Sequence, residues 1–254
     1  MSQHPSGFLH CPEADGTITI IGYEGAGGEV TIPSEIHGQS VTCIGDWALV
    51  GCDSLTSVTI PISVTSIMGR AFDRCTNLTS VKIAGSVTSI GEMVFRGCNS
   101  LQTIVVDAAN VAYCSLDGVL FNKDRTRLLQ CPGAKTGNYS IPESVATIEL
   151  AAFWFCPNLT SVTIGSAVTS IKGSNIFGFS GNLDAILVSA ENQAFSSRDG
   201  VLFNKGQTKL IRCPEGKTGQ YTIPQSVTEI VKDAFKCSKL AGVVIPDGVE
   251  ASAL

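Results

Sequence analysis

The chain has 254 residues, of which 15% are charged, and a net charge of −5, so it carries no basic field to draw nucleic acid or an anionic membrane. No apolar run reaches the length of a membrane-spanning helix, which excludes insertion by a helix. A single compact core rarely serves so long a chain, whereas a repeat array has a linear core without that limit.

The first 27 residues open MSQHPSGFLHCPEADG and have neither the basic start nor the apolar centre of an export signal. They are expected to form an N-terminal cap region, residues 1–27. Without an export signal the protein is expected in the cytoplasm; with one lying outside this sequence, it is expected to be extracellular or on the cell surface.

From residue 28 onward one unit recurs. A short strand ends in Ile or Val at Ile32, Ile60, Ile83, Val106, Ile141, Ile164, Val188, Ile223 and Ile245, in steps of 28, 23, 23, 35, 23, 24, 35 and 22. Leu55, Val58, Ile60, Val64, Ile67, Ala71, Phe72 and Cys75 give the complete pattern. A period near 23 residues predicts a solenoid over 28–254, each coil burying apolar side chains against its neighbours. Alternation within the strands sends one row inward and one into water, and nine strands are expected in one parallel sheet. The Ala-Phe-x-x-Cys segment predicts a short helical or 3-10 turn closing each coil on the other face.

The IPxSVTSI and AFxxC segments recur at 60–67 with 71–75, 141–148 with 152–156, and 223–230 with 234–237. In these the chain resembles the BspA-like leucine-rich repeat family over roughly residues 28–245. It departs at Val94, which replaces Ala, and at Ser180, which stands where Cys is expected. The resemblance implies a leucine-rich repeat solenoid whose parallel sheet forms a concave face. Relatives are commonly surface or secreted proteins that engage host or matrix proteins, so it also implies a non-enzymatic, adhesion-type protein partner.

Two coils are longer. Residues 106–141 and 188–223 align at an offset of 82, SLDGVLFNKDRTRLLQCPGAKTGNYSIP against SRDGVLFNKGQTKLIRCPEGKTGQYTIP. Each exceeds an ordinary coil by about 12 residues, room for two four-residue strands and a turn. Strands at 119–122 with 128–130, and at 201–204 with 210–212, predict two β-hairpin insertions leaving the solenoid, turning at Lys123-Asp124-Arg125-Thr126 and Lys205-Gly206-Gln207-Thr208.

Cys52, Cys75, Cys98, Cys156 and Cys237 share one slot and are expected to be an inward ladder of free thiols acting as small hydrophobes, their Cβ atoms too far apart for disulfides. Cys11, Cys43 and Cys114 have no repeat partner and are the candidates for disulfides. No Cys-x-x-Cys occurs, and His4, His10 and His37 precede the regular repeats, so neither a metal nor any other cofactor is expected. Gly216-Lys217-Thr218 imitates the end of a phosphate-binding loop, but Ile211 stands where Gly is required and a strand follows where a helix is needed. It reads as a turn, and no residue is assigned a catalytic role.

The outward strand rows remain. One is Thr31, Thr59, Lys82, Val105, Ser140, Thr163, Leu187, Thr222 and Val244, and the second runs from Glu29 through Ser57, Ser80 and Thr103. They are rich in Ser and Thr, which also simply suit a strand surface. Val105 and Leu187 are apolar at outward positions beside the long coils. The candidate binding residues are therefore Thr59, Lys82, Val105, Thr163, Leu187, Lys123, Arg125 and Lys205. The alternatives are a structural spacer or self-associating scaffold, to which the uncapped ending IPDGVEASAL lends weight, and a carbohydrate-type surface binder using the Thr rows.

Overall fold

A computed structural model of the protein describes residues 2–3, 6–173 and 176–249. His4 and the final residues 250–254, considered above as a missing cap, lie outside them. The chain divides into two compact units, one of residues 1–124 with 129–133 and one of 125–128 with 134–254.

In the first unit β1 (Ser2–Gln3), β2 (Phe8–Pro12) and β3 (Ile18–Tyr23) run antiparallel. Repeating coils follow: β4 (Gly28–Thr31), β5 (Glu35–Ile36), β6 (Gln39–Ile44), β7 (Leu55–Ile60), β8 (Ser66–Ile67), β9 (Ser80–Ile83), β10 (Ser89–Ile90), β11 (Thr103–Val106), β12 (Tyr113–Leu116) and β13 (Val119–Asn122). Strands β4, β7, β9 and β11 stack in parallel and in register, with Thr31, Thr59, Lys82 and Val105 in one row. A second parallel ladder joins β3, β6, β8 and β10 through the Thr-Ser-Ile part of each coil, so the antiparallel N-terminal strands continue directly into the solenoid. The eight positions from Leu55 to Cys75 read as the complete pattern are all buried, and the Phe72 and Phe95 rings stack at 5.5 Å between successive coils.

The third side of each coil is made of turns. Among the described residues no helix occurs, so the expected helical or 3-10 character is not found. The reason is where the amides go. Trp47, Leu49 and Gly51 donate to the carbonyls of Gly69, Ala71 and Asp73, and Arg70, Phe72 and Arg74 to those of Glu92, Val94 and Arg96 in the following coil. Alternate N–H groups spent between coils cannot build a helical ladder. The bends needed put Trp47, Arg70, Met93 and Arg74 at positive φ, the last in a slot that Gly51 and Gly97 fill elsewhere.

Strand β14 (Arg127–Gln130) has residues in both units, and the second unit repeats the plan in β15 (Gly137–Ser140), β16 (Thr147–Ile148), β17 (Leu159–Ile164), β18 (Ser170–Ile171), β19 (Ala185–Val188), β20 (Phe195–Arg198), β21 (Val201–Asn204), β22 (Lys209–Arg212), β23 (Thr218–Thr222), β24 (Glu229–Ile230) and β25 (Lys239–Val244). Here the single parallel sheet expected from the sequence is broken: β15, β17 and β19 form one ladder, β23 and β25 another. The long coil causes the break, because Ile186 of β19 donates to the carbonyl of Gly200, at the turn between β20 and β21, rather than to a strand of the next coil.

That coil also corrects the picture of a protruding hairpin. Strands β21 and β22 pair antiparallel, with Phe203 opposite Leu210, yet β22 pairs onward in parallel with β24, and Val201, Leu202 and Phe203 are all buried. Three consecutive apolar residues need cover on both faces, so the insertion folds into the solenoid. A further strand, β20, precedes β21 through an Asp199-Gly200 turn in which both residues have positive φ. The first copy does the same with β12, β13 and Asp117-Gly118. Gly200 is required twice over, since a Cβ there would also come within 3.0 Å of Ala185.

Candidate functional site

The strand ladders put the sequence-derived candidates into two separate groups. In the first unit Thr59 stands beside Lys82 and Lys82 beside Val105 on successive strands, while Glu29, Ser57, Ser80 and Thr103 make the parallel row. Glu29, Thr31, Ser57, Thr59, Ser80 and Lys82 line a shallow cleft of about 330 Å³, acidic at one end and basic at the other. Val105 is 45% exposed at the edge of this hydroxyl-rich face. In the second unit Thr163 lies directly beside Leu187, which is 44% exposed. Neither apolar side chain is covered by its neighbouring β-hairpin.

The turn residues behave differently. Lys123 Nζ donates to the carbonyls of Ala108 and Asn110, and Lys205 Nζ to that of Ala190, so both ammonium groups staple their own long coil. Arg125 is exposed at positive φ, and its carbonyl accepts the Ser144 hydroxyl.

All ten cysteines are free, including Cys11, Cys43 and Cys114. Cys75, Cys98 and Cys156 are buried, but Cys52 is half-buried and Cys237 exposed, which corrects the uniform ladder at its ends. The slot is also less apolar than its residues suggest. Cys75 Sγ donates to the Leu49 carbonyl and Cys98 Sγ to that of Phe72, both at 3.0 Å. Burial pushes the Cys98 thiol well above its ordinary value, and the Cys52 and Cys213 thiols up to about 11.

Several polar residues invisible to the repeat pattern organise the long coils. Asn110 and Asn192 are fully buried; each amide donates to two carbonyls of the preceding coil, Ala84 and Val87 or Gly165 and Val168, and each side-chain oxygen accepts two N–H groups. Arg212 and Glu215 form a buried ion pair at 2.8 Å, with Arg212 also donating to the Asp233 carbonyl and Glu215 accepting the Phe179 N–H. The recurrence of Asn110 and Asn192 at one offset before Asp117 and Asp199 was the available signal; Arg212 and Glu215, which stand where the first copy has Gln130 and Gly133, had none. Among the described residues no group of His, Cys, Asp and Glu is arranged to hold a metal, and no helix is long and apolar enough to cross a membrane.

The sequence profile of the BspA type leucine rich repeat region matches residues 28–119 and 213–252 in six copies. The chain belongs to this family. Its fold is similar to that of a leucine-rich repeat protein from Eubacterium ventriosum, at 25% identity and a TM-score of 0.55, over 96% of this chain and 59% of that one. It is also similar to the pneumococcal vaccine antigen PcpA, at 20% identity and a TM-score of 0.51, over 98% of this chain and 65% of that one, a likeness of fold alone. The chain thus spans less than two thirds of the length of either. No similar sequence was found among curated proteins. The BspA type match leaves most of the first long coil and the coils up to residue 212 unassigned, yet β15, β17 and β19 carry the same ladder.

Proposed function

We propose that this BspA type repeat chain is a non-enzymatic binding module that takes a protein partner on the outward faces of its strand ladders, as a surface or secreted adhesion-type protein. The observation that carries the reading is the exposure of Val105 and Leu187 on faces rich in Ser and Thr. An apolar group held open on a rigid strand loses no conformational freedom when covered and gains from leaving water. Thr59 and Lys82 would join Val105 in the contact and Thr163 would join Leu187, with the turn residues Lys123, Arg125 and Lys205 of the long coils beside them. The interruption of the Thr rows by Lys82, Val105 and Leu187 argues against a regular carbohydrate-type lattice.

The test is adhesion of the purified chain to immobilised extracellular-matrix proteins and to cell monolayers, with V105D and L187D alone and together. Saturable binding that falls at least tenfold in the double variant, at an unchanged melting temperature, is the expected result. Absence of binding together with concentration-dependent association in sedimentation would favour the self-associating scaffold instead.

A further inference from the structure

Strand β23 is paired on one side only. Ile223, immediately after it, donates to the Val244 carbonyl of β25, and the register sets Tyr221 beside Val243. Backbone groups alternate sides along a strand, so the N–H and C=O of Gln220 and Thr222 point away from β25. Among the described residues no strand pairs with β23 there. In an uninterrupted solenoid β19 would fill that side; here its edge is closed by the β20–β21 turn, through Ile186 N–H to the Gly200 carbonyl and Val188 N–H to Ser197 Oγ. The long coil therefore satisfies β19 and leaves β23 open.

A groove of about 630 Å³ runs along this open edge. The strand side is Thr218, Gln220 and Thr222, and the opposite wall is Arg198 and Asp199 from the tight turn. Two features indicate a ligand. The first is charge: Arg198 and Lys217 face a single carboxylate, Asp199, and its side chain lies no nearer than 4.0 Å to Arg198. Lys217 is held over the groove, its Nζ donating to the Asp199 carbonyl and lying 5.8 Å from the Tyr221 ring centre. The second is Tyr221, a residue of the groove lining only 4% exposed, whose buried hydroxyl has no hydrogen-bond partner. A buried hydroxyl without a partner is destabilising, and a carbonyl brought within its reach would relieve that.

We infer that the open edge of β23 is a docking site for an extended acidic peptide segment of a partner protein, which adds as a strand beside Gln220 and Thr222 with a carboxylate between Arg198 and Lys217. The N–H and C=O groups of Gln220 and Thr222 supply the affinity that any sequence can use, and the two cations select among sequences. An unpaired edge is a liability that proteins normally blunt. Here β23 is only the five residues Thr218–Thr222, so the groove accepts a short segment rather than a second sheet. This site is distinct from the faces around Val105 and Leu187, and its test uses other variants, so the failure of one proposal leaves the other standing.

A phage library of random seven-residue peptides, panned on the full chain, tests it. The enriched sequences are expected to combine Asp or Glu with β-branched residues. As a labelled synthetic peptide in fluorescence polarisation, the best of them should bind at least tenfold more weakly to Thr222→Pro, which removes a groove-facing N–H that has no strand partner, and to the double variant Arg198→Glu with Lys217→Glu. N-methylation of alternate amides in the peptide should abolish binding to the unaltered protein, and this arm stands even if Thr222→Pro fails to fold. Failure to enrich any acidic sequence, or binding that survives both N-methyl series, overturns the inference.

Discussion

The Ser180 hydroxyl donates to the carbonyl of Phe153 at 3.1 Å and accepts the N–H of Cys156, so the one coil with Ser in the cysteine slot makes the same link to the preceding coil that Cys75 and Cys98 make. The slot therefore selects a small side chain with a proton to donate. Cys75→Ser and Cys98→Ser are expected to cost less than about 1 kcal/mol, because the waiting carbonyl of Leu49 or Phe72 satisfies the hydroxyl. Ser180→Ala, which strands a carbonyl and an N–H in the core, should cost about 1–3 kcal/mol. Urea denaturation of the four proteins orders them; equal losses for Cys75→Ser and Ser180→Ala would contradict the account.

Thiol chemistry follows burial. Iodoacetamide at pH near 8 should modify Cys11 and Cys237, the two exposed cysteines, first. Cys75, Cys98, Cys131, Cys156 and Cys213 should react only once the fold opens. Cys52 separates exposure from ionisation: it is half-buried, but its thiol is pushed up to about 11, so its thiolate is scarce and it should lag. Mass spectrometry of timed digests reads the order directly.

Asn110 and Asn192 each close four hydrogen bonds with no exposure to water. Replacing either with Leu leaves two carbonyls and two N–H groups without partners, and a loss of at least about 3 kcal/mol is expected. Asn192→Asp should be comparably damaging, since it sets acceptors against the Gly165 and Val168 carbonyls. Thermal melts should show both variants lower by several degrees.

The Arg212 and Glu215 pair gives a prediction in pH. Burial pushes the Glu215 carboxyl above its usual range, against the opposing pull of the Phe179 N–H and the Arg212 guanidinium. The folded protein then binds the proton more tightly than the unfolded chain, so the contribution of this group to stability falls as pH rises from about 4 toward neutrality. The stability difference between the native chain and Glu215→Gln should accordingly shift in favour of Gln over that interval. At neutral pH, Arg212→Met alone should cost about 3–5 kcal/mol by leaving a buried charge unpaired, and the double variant Arg212→Met with Glu215→Leu should cost less than that single change. Chemical denaturation at a series of pH values tests both statements.

What the sequence determined is what repeats. Leu55, Val58 and Ile60 recur at a fixed period, and alternation in a strand leaves one choice of buried face, so the ladder of β4, β7, β9 and β11, its register and the row holding Thr59, Lys82 and Val105 were legible, while the second ladder through Ser66–Ile67 and the breaks in the sheet were not. Asp117-Gly118 and Asp199-Gly200 are a legible turn signal as well, but Tyr113–Leu116 and Phe195–Arg198 lack an alternating apolar pattern, and so β12 and β20 are not legible in the sequence. Only the tertiary structure decided the rest. Whether Trp47 and Arg70 lie in a helix or an extended turn depends on amides bonded to residues more than twenty positions away. The isolation of β23 depends on the Gly200 carbonyl occupying the edge of β19. Such bonds join residues whose proximity exists only after the coils have stacked, and no local pattern encodes them.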